Sequence, residues 1–299
     1  MFSILGCGAI GSLIAFACNQ NQLNYQLILR HAGQTFQPVK LDTRLISNRS
    51  TVIEFNAPVF NSKSHPQQQK IEHLILPIKA YQVKPALQNL KPYLAKNVNI
   101  ILLHNGLGTA QIARQLIPTA NIILASTTLG AYQTNSFETV QTALGETYFG
   151  GDDNHKLMPQ WLAPLINAVK PAFWDHNIQS RLWQKLAVNV VINPLTALNQ
   201  VKNGALLKAE YQGVIRHLID EFCLVSQAEG FNFTEQQISD LVYAVAENTA
   251  ENYSSMNRDI YFNRQTEIDF INGFLIKKAA EHKIALPYHQ NLFDQIRLK

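Results

Sequence analysis

The sequence predicts an α/β fold: a doubly wound parallel-sheet domain over residues 1–176, followed by an all-α domain over residues 177–299. Three observations predict it. A glycine-rich turn, Gly6-Cys7-Gly8-Ala9-Ile10-Gly11, follows a short apolar run and opens a helical stretch of small residues. Short apolar segments then alternate with helix-period segments through the first half. Beyond residue 177 that alternation stops, and only long helical patterns remain.

Taken in order, residues 2–5 are the first predicted strand and residues 9–19 the first helix. Between them the GxGxxG spacing stands in its strand–turn–helix setting, the dinucleotide fingerprint of a Rossmann-type domain. Gly6 permits the tight turn, Gly8 lets backbone N–H groups approach a pyrophosphate, and Gly11 lets helix pack close on strand. Further strands are predicted at residues 25–29, 73–76, 99–103 and 122–126, with helices at 82–94 and 109–116. Residues 31–70 are polar and carry no assigned element. Residues 139–149 read as strand and 158–169 as helix.

In the second domain the helical patterns cover residues 178–198, 212–229, 235–253 and 265–282. Asn193-Pro194 is expected to end or kink the first of these. Thr266 and Asp269 fit a capping box at the start of the last. Ligands of open parallel sheets bind at the carboxyl ends of the strands, so the active site is expected between the two halves.

Composition bounds the function. A hydrophobic content of 46% with 15% charged residues describes a globular protein. The net charge of +4 is modest and its basic residues are dispersed, so no nucleic-acid partner is expected, although an anionic small substrate would be attracted. Cys7, Cys18 and Cys223 make no CxxC and leave an odd count, as expected of reduced thiols in a cytoplasmic protein. The nine histidines lack metal-ligand spacing, and no metal is predicted. Leu5-Gly6-Cys7 could be taken for a lipoprotein cleavage site. A signal peptide needs a basic leading region, however, and the first basic residue is Arg30, so no membrane association is expected.

The chain has no acidic residue before Asp42, where an NAD-binding unit would offer a carboxylate to the ribose 2′-hydroxyl. The second predicted strand ends instead in Arg30. A guanidinium there pairs with a 2′-phosphate, which favours NADP(H) over NAD. Lys79, after the third strand, is placed to meet phosphate or carboxylate; a solvated loop lysine would look the same.

Lys185, Asn189 and Asn193 are spaced four residues apart, an advance of about 40° per step, so they form one polar stripe on an otherwise apolar helix. Such a stripe is costly unless it meets partners or a wet site. A snorkelling lysine with asparagines capping nearby backbone is the other reading. Asn105, in His104-Asn105-Gly106, follows a strand and could orient a carbonyl or amide; an Asn-Gly pair is also a common turn. Glu267 stands near a helix start, where dipole stabilisation alone would account for it.

Together these segments resemble the 2-dehydropantoate 2-reductases (ketopantoate reductases), nearly end to end. The resemblance rests on the glycine turn, Ile78-Lys79-Ala80-Tyr81-Gln82, His104-Asn105-Gly106, Leu182-Trp183-Gln184-Lys185 with Asn189 and Ile192-Asn193-Pro194, Glu251-Asn252-Tyr253-Ser254-Ser255-Met256, and Thr266-Glu267-Ile268-Asp269-Phe270-Ile271-Asn272-Gly273. It implies NADPH-dependent reduction of 2-dehydropantoate to (R)-pantoate in pantothenate synthesis, with Lys185 as general acid. It further implies that Gly6, Cys7, Gly8, Ala9, Ile10, Gly11, Arg30 and Lys79 hold the cofactor and that Asn105 sits by nicotinamide and substrate. Asn189, Asn193, Ser255 and Glu267 would bind the substrate. Two other readings are a reductase of another branched 2-keto acid and a non-catalytic NADP-sensing protein. A monomer or a homodimer would serve any of them.

Overall fold

The computed structural model describes residues 1–30, 35–46, 51–60, 70–152 and 157–299. They form two compact units, one of Met1–His104 with Thr109–Ile178, the other of Asn105–Gly108 with Gln179–Lys299.

Along the first unit the elements are β1 (Phe2–Leu5), α1 (Ala9–Gln20), β2 (Tyr25–Ile28), β3 (Phe36–Asp42), β4 (Val52–Pro58), β5 (Ile71–Leu76), α2 (Ala80–Leu90), β6 (Leu94–Leu103) and α3 (Thr109–Leu116). They continue with β7 (Asn121–Thr127), β8 (Gly130–Asn135), β9 (Glu138–Ala143), β10 (Thr147–Gly151), α4 (Ala163–Ala168) and β11 (Ala172–Trp174). The main sheet has the order β2-β1-β5-β6-β7-β10-β11. A parallel sheet buries both faces, so its strands need unbroken apolar runs. Ile100-Ile101-Leu102-Leu103 in β6 and Leu74-Ile75-Leu76 in β5 supply them, and all seven are buried.

Right-handed crossovers put a helix that leads leftward along the sheet and one that leads rightward on opposite faces. Accordingly α1 packs on α4, and α2 on α3. The order reverses between β1 and β5, which makes the carboxyl ends of those strands the topological switch point.

The structure departs from a wholly parallel sheet at one edge. β10 runs antiparallel to β7, and β11 parallel to β10. The stretch 139–149, which reads as one strand, is divided between two sheets, β9 in the smaller and β10 in the larger. That smaller sheet, β4-β3-β9-β8, packs on α1, and its strands β3 and β4 come from the unassigned stretch 31–70; residues 31–34, 47–50 and 61–69 of that stretch lie outside the described residues. Pro38 hides β3 from sequence reading. Its missing N–H costs nothing there, because β3 pairs with β9 only over Lys40–Asp42. Helix α2 stops at Leu90, and Leu94 already opens β6 after a 3-10 turn over Lys91–Tyr93.

The second unit is helical: α5 (Ile178–Asn199), α6 (Ala209–Ala228), α7 (Glu235–Asn248), α8 (Ser255–Tyr261), α9 (Asn272–Glu281) and α10 (Pro287–Arg297). Trp183, Leu186, Val190, Val191, Phe222, Val242 and Leu275 are among the buried residues of its core. α5 does not end at Pro194 but runs on to Asn199. Proline removes the N–H that would serve the Val190 carbonyl, and the side-chain amide of Asn272 replaces it at 3.0 Å. Helices α8 and α10 were not predicted. Among the described residues no helix is long and apolar enough to cross a membrane, and no group of His, Cys, Asp and Glu could hold a metal ion.

Candidate active site

The glycine turn at the end of β1 is built as its spacing predicts. Gly6 has φ +81°, in the left-handed region, and a Cβ on Gly11 would stand 2.5 Å from the Gly6 carbonyl oxygen. A Cβ on Gly8 would meet nothing within 4 Å. No side chain caps α1 and its first turn holds no acid, so the helix head presents positive dipole to whatever fills that space. The pyrophosphate of a dinucleotide fits this end. Ala9 and Ile10 form the first turn of α1.

Cys7 is buried. Its Sγ lies 3.2 Å from Ser12 Oγ, and its carbonyl accepts a hydrogen bond from Gln133 Nε2 at 2.7 Å. Burial pushes the thiol above its ordinary pKa, against the pull of the Ser12 hydrogen bond, so it stays protonated and unreactive. Cys7 contributes shape and backbone.

Arg30 is exposed, two residues beyond β2. Lys79 is half-buried at the head of α2, where its N–H donates to Gln82 Oε1 at 3.2 Å. Pro77, just before Lys79, costs the sheet no ladder bond, because β5 ends at Leu76. Pro77 and Ile78 instead lie against the glycine turn, 3.4 Å and 3.6 Å from the Cβ positions of Gly11 and Gly6. Lys79 therefore opens its helix beside the glycine turn, across the switch point from β1.

In the helical unit, α5 carries Lys185, Asn189 and Asn193. Leu186, Ala187, Val190, Val191 and Ile192 between them are buried, while Lys185 and Asn189 are half-buried and Asn193 is 6% exposed. Desolvation brings the Lys185 ammonium down to about 8, and the Glu267 carboxylate opposes that fall. The lysine is charged at neutral pH yet holds its proton far less tightly than a solvated one.

Glu267 is 3% exposed and stands before a 3-10 turn over Ile268–Phe270, its carbonyl accepting from the N–H groups of Phe270 at 3.0 Å and Ile271 at 3.1 Å. The predicted capping box does not form. Ile271, at φ −104° and ψ −90°, interrupts the helical path, so α9 starts only at Asn272. The Thr266 hydroxyl accepts from the Ile268 N–H at 3.4 Å within the turn instead.

The loop bearing Asn105 is fixed to that same turn. Leu107 N–H donates to the Phe270 carbonyl at 2.8 Å. Gly106 has φ +84°, and a Cβ there would stand 2.5 Å from the same carbonyl oxygen, so glycine is required. Lys185, Glu267 and the Asn105 loop are thus brought together within one unit.

Ser255, the first residue of α8, is exposed, whereas its neighbour Ser254 is buried. Ser254 Oγ accepts from the Asn257 N–H at 3.1 Å and lies 2.7 Å from Thr196 Oγ1, on α5. Asn257 Nδ2 donates to the Thr196 carbonyl at 2.8 Å. These three residues tie α8, with Ser255, to the carboxyl end of α5. Sequence reasoning gave these three no role of their own; a serine three residues before Asn257, at the mouth of a short helix, was the available signal.

Comparison with known proteins matches residues 2–154 to the family model described as ketopantoate reductase PanE/ApbA, and residues 177–299 to the model of its C-terminal part. The chain is 34% identical over 296 residues to the 2-dehydropantoate 2-reductase of Vibrio cholerae, covering 98% of this chain and 96% of that one. Among solved structures, it is similar to a dimeric ketopantoate reductase from Staphylococcus aureus (TM-score 0.82, 23% identity, 99% of this chain and 97% of that one). It is also similar to a D-mandelate dehydrogenase solved with NADH and anilino(oxo)acetate (TM-score 0.87, 22% identity, 100% and 97%). At those identities the two structures speak for the fold. The matched models and the relative of like length together show that the chain belongs to the ketopantoate reductase family.

Proposed function

We propose that the protein reduces 2-dehydropantoate to (R)-pantoate with NADPH. The observation that carries this reading is Lys185: a half-buried ammonium on an apolar helix, lowered to about 8 by desolvation and opposed by the Glu267 carboxylate. Family membership and the name of the 34%-identical relative support the substrate. Arg30 and the absence of any acid before Asp42 support NADPH over NADH.

Gly6, Cys7, Gly8, Ala9, Ile10 and Gly11 would hold the pyrophosphate, with Lys79 beside them and Arg30 on the 2′-phosphate. When bound, the cofactor supplies a hydride to the keto carbon. Charge then builds on the keto oxygen, and Lys185 Nζ stabilises it and donates the proton that completes the hydroxyl. Lys185 is left neutral and regains its proton from water. Asn189, Asn193 and Ser255 orient the polar groups of the substrate, Glu267 accepts from its hydroxyl, and Asn105 aligns the carbonyl.

Steady-state oxidation of NADPH with 2-dehydropantoate, beside a panel of other 2-keto acids, tests the reading. Turnover with 2-dehydropantoate preferred is expected, and Arg30→Ala should lose efficiency with NADPH far more than with NADH. Preference for a different keto acid would overturn the substrate, and an equal loss with both cofactors would overturn the role of Arg30.

A further inference from the structure

Pro194 lies inside α5, one residue beyond the last member of the polar stripe and outside it. Without its N–H, the Val190 carbonyl loses the donor that an unbroken α-helix would supply four residues on, and such a site is where helices kink. Lys185 lies nine residues before Pro194, about 13 Å along the axis. A kink of about 20° would swing it by about 4–5 Å, far beyond what proton transfer tolerates.

Asn272 closes this gap. It is fully buried, and its Nδ2 donates to the Val190 carbonyl at 3.0 Å and to His289 Nδ1 at 3.0 Å, which uses both hydrogens of the amide. His289 Nε2 donates in turn to the Leu218 carbonyl at 3.0 Å, so Nδ1 is the acceptor and the orientation of the Asn272 amide is fixed. Asn272 is also the first residue of α9, five residues after Glu267. One side chain therefore ties the helix of Lys185 to the segment of Glu267.

We propose that Asn272 is a positioning residue for the reaction: by donating to the carbonyl that Pro194 strands, it keeps α5 a single helix and holds Lys185 and Asn189 in register with Asn193. The proposal rests on the reading of Lys185 as the proton donor. Asn272 touches no substrate in it.

Pro194→Ala supplies the decisive test, because it returns an N–H four residues after Val190 and makes the Asn272 donor dispensable there. Asn272→Ala is expected to lower kcat about tenfold, with smaller changes in KM and in NADPH affinity. Pro194→Ala alone should turn over like the unaltered protein, and the double variant should recover kcat to within about threefold of it. His289 lacks its amide partner in both Asn272 variants, so the melting temperature of the double variant should return only in part. A kcat that stays low in the double variant, or one that never falls in Asn272→Ala, overturns the proposal. If Asn272→Ala does not fold, Asn272→Ser carries the same cycle, being small and polar but unable to reach both acceptors. If the unaltered protein turns over no 2-keto acid, the functional reading fails and thermal melts decide the geometry. Pro194→Ala must then raise the melting temperature more in the Asn272→Ala background than in the unaltered one; an equal change in both overturns the hydrogen-bond argument.

Discussion

Lys185 stands under two opposed influences, and their balance sets what it can do. Burial on an apolar helix favours the neutral amine, while the Glu267 carboxylate favours the ammonium, and the result is a group near 8. Such a proton is mostly in place at neutral pH and is readily given to a developing alkoxide. Lys185→Ala should therefore lower kcat by about 100-fold or more while NADPH, followed by its fluorescence, still binds. In the unaltered protein the reduction rate should hold below pH 8 and fall as the pH rises through it, because the acid is the protonated form. An alkaline limb near 10.5 would return Lys185 to the behaviour of an ordinary surface lysine. At this scale the sequence was informative wherever spacing is local: the polar stripe and the glycine turn follow from periodicity alone. Asn272 stands in a motif of the resemblance, but its role was not legible, because that depends on Val190, 82 residues earlier in the chain, and on His289.

Elements were legible in proportion to how far their own residues explain them. Strands β5, β6 and β7 each carry an unbroken apolar run, at residues 74–76, 100–103 and 122–125, and with the mostly apolar β1 were visible at once, whereas β3 and β4 are half-exposed, with Pro38 in one and Pro58 closing the other. Helix α10 was missed because its start is specified elsewhere. Glu221, on α6, accepts from the N–H groups of Tyr288 at 2.9 Å and His289 at 3.0 Å, so one helix caps another. Cutting that carboxylate back takes the partner from both donors, of which the His289 N–H is buried. Glu221→Ala should cost about 1–3 kcal/mol, read as a lower melting temperature, with Glu221→Gln losing less because it keeps one acceptor. No change in either variant would mean that α10 is held by its apolar face alone.

For the molecule as a whole, class was legible and detail was not: burial on both faces of a parallel sheet writes itself into sequence, while the antiparallel turn of β10 into the sheet edge does not. The same burial makes global stability depend on pH in a calculable direction. His289 is buried among Asn272, Leu218 and the head of α10, and desolvation brings it down to about 4 from an ordinary 6.5. Above pH 6.5 it is neutral whether the chain is folded or not, and it costs nothing. As the pH falls below 6.5 the unfolded chain takes up a proton that the folded one refuses, so stability is lost at up to about 1.4 kcal/mol per pH unit until the folded state also protonates near 4. Lys185 acts at the other end. Neutral above about 8 when folded but only above 10.5 when unfolded, it lets stability rise as the pH climbs between those values. Thermal melts across this range should therefore show His289→Gln with a shallower acid slope than the unaltered protein, and Lys185→Met with a flatter alkaline one. Parallel curves for either pair would mean that the side chain reaches solvent in the folded state, and with it the low proton affinity on which the proposed chemistry depends would be lost for Lys185.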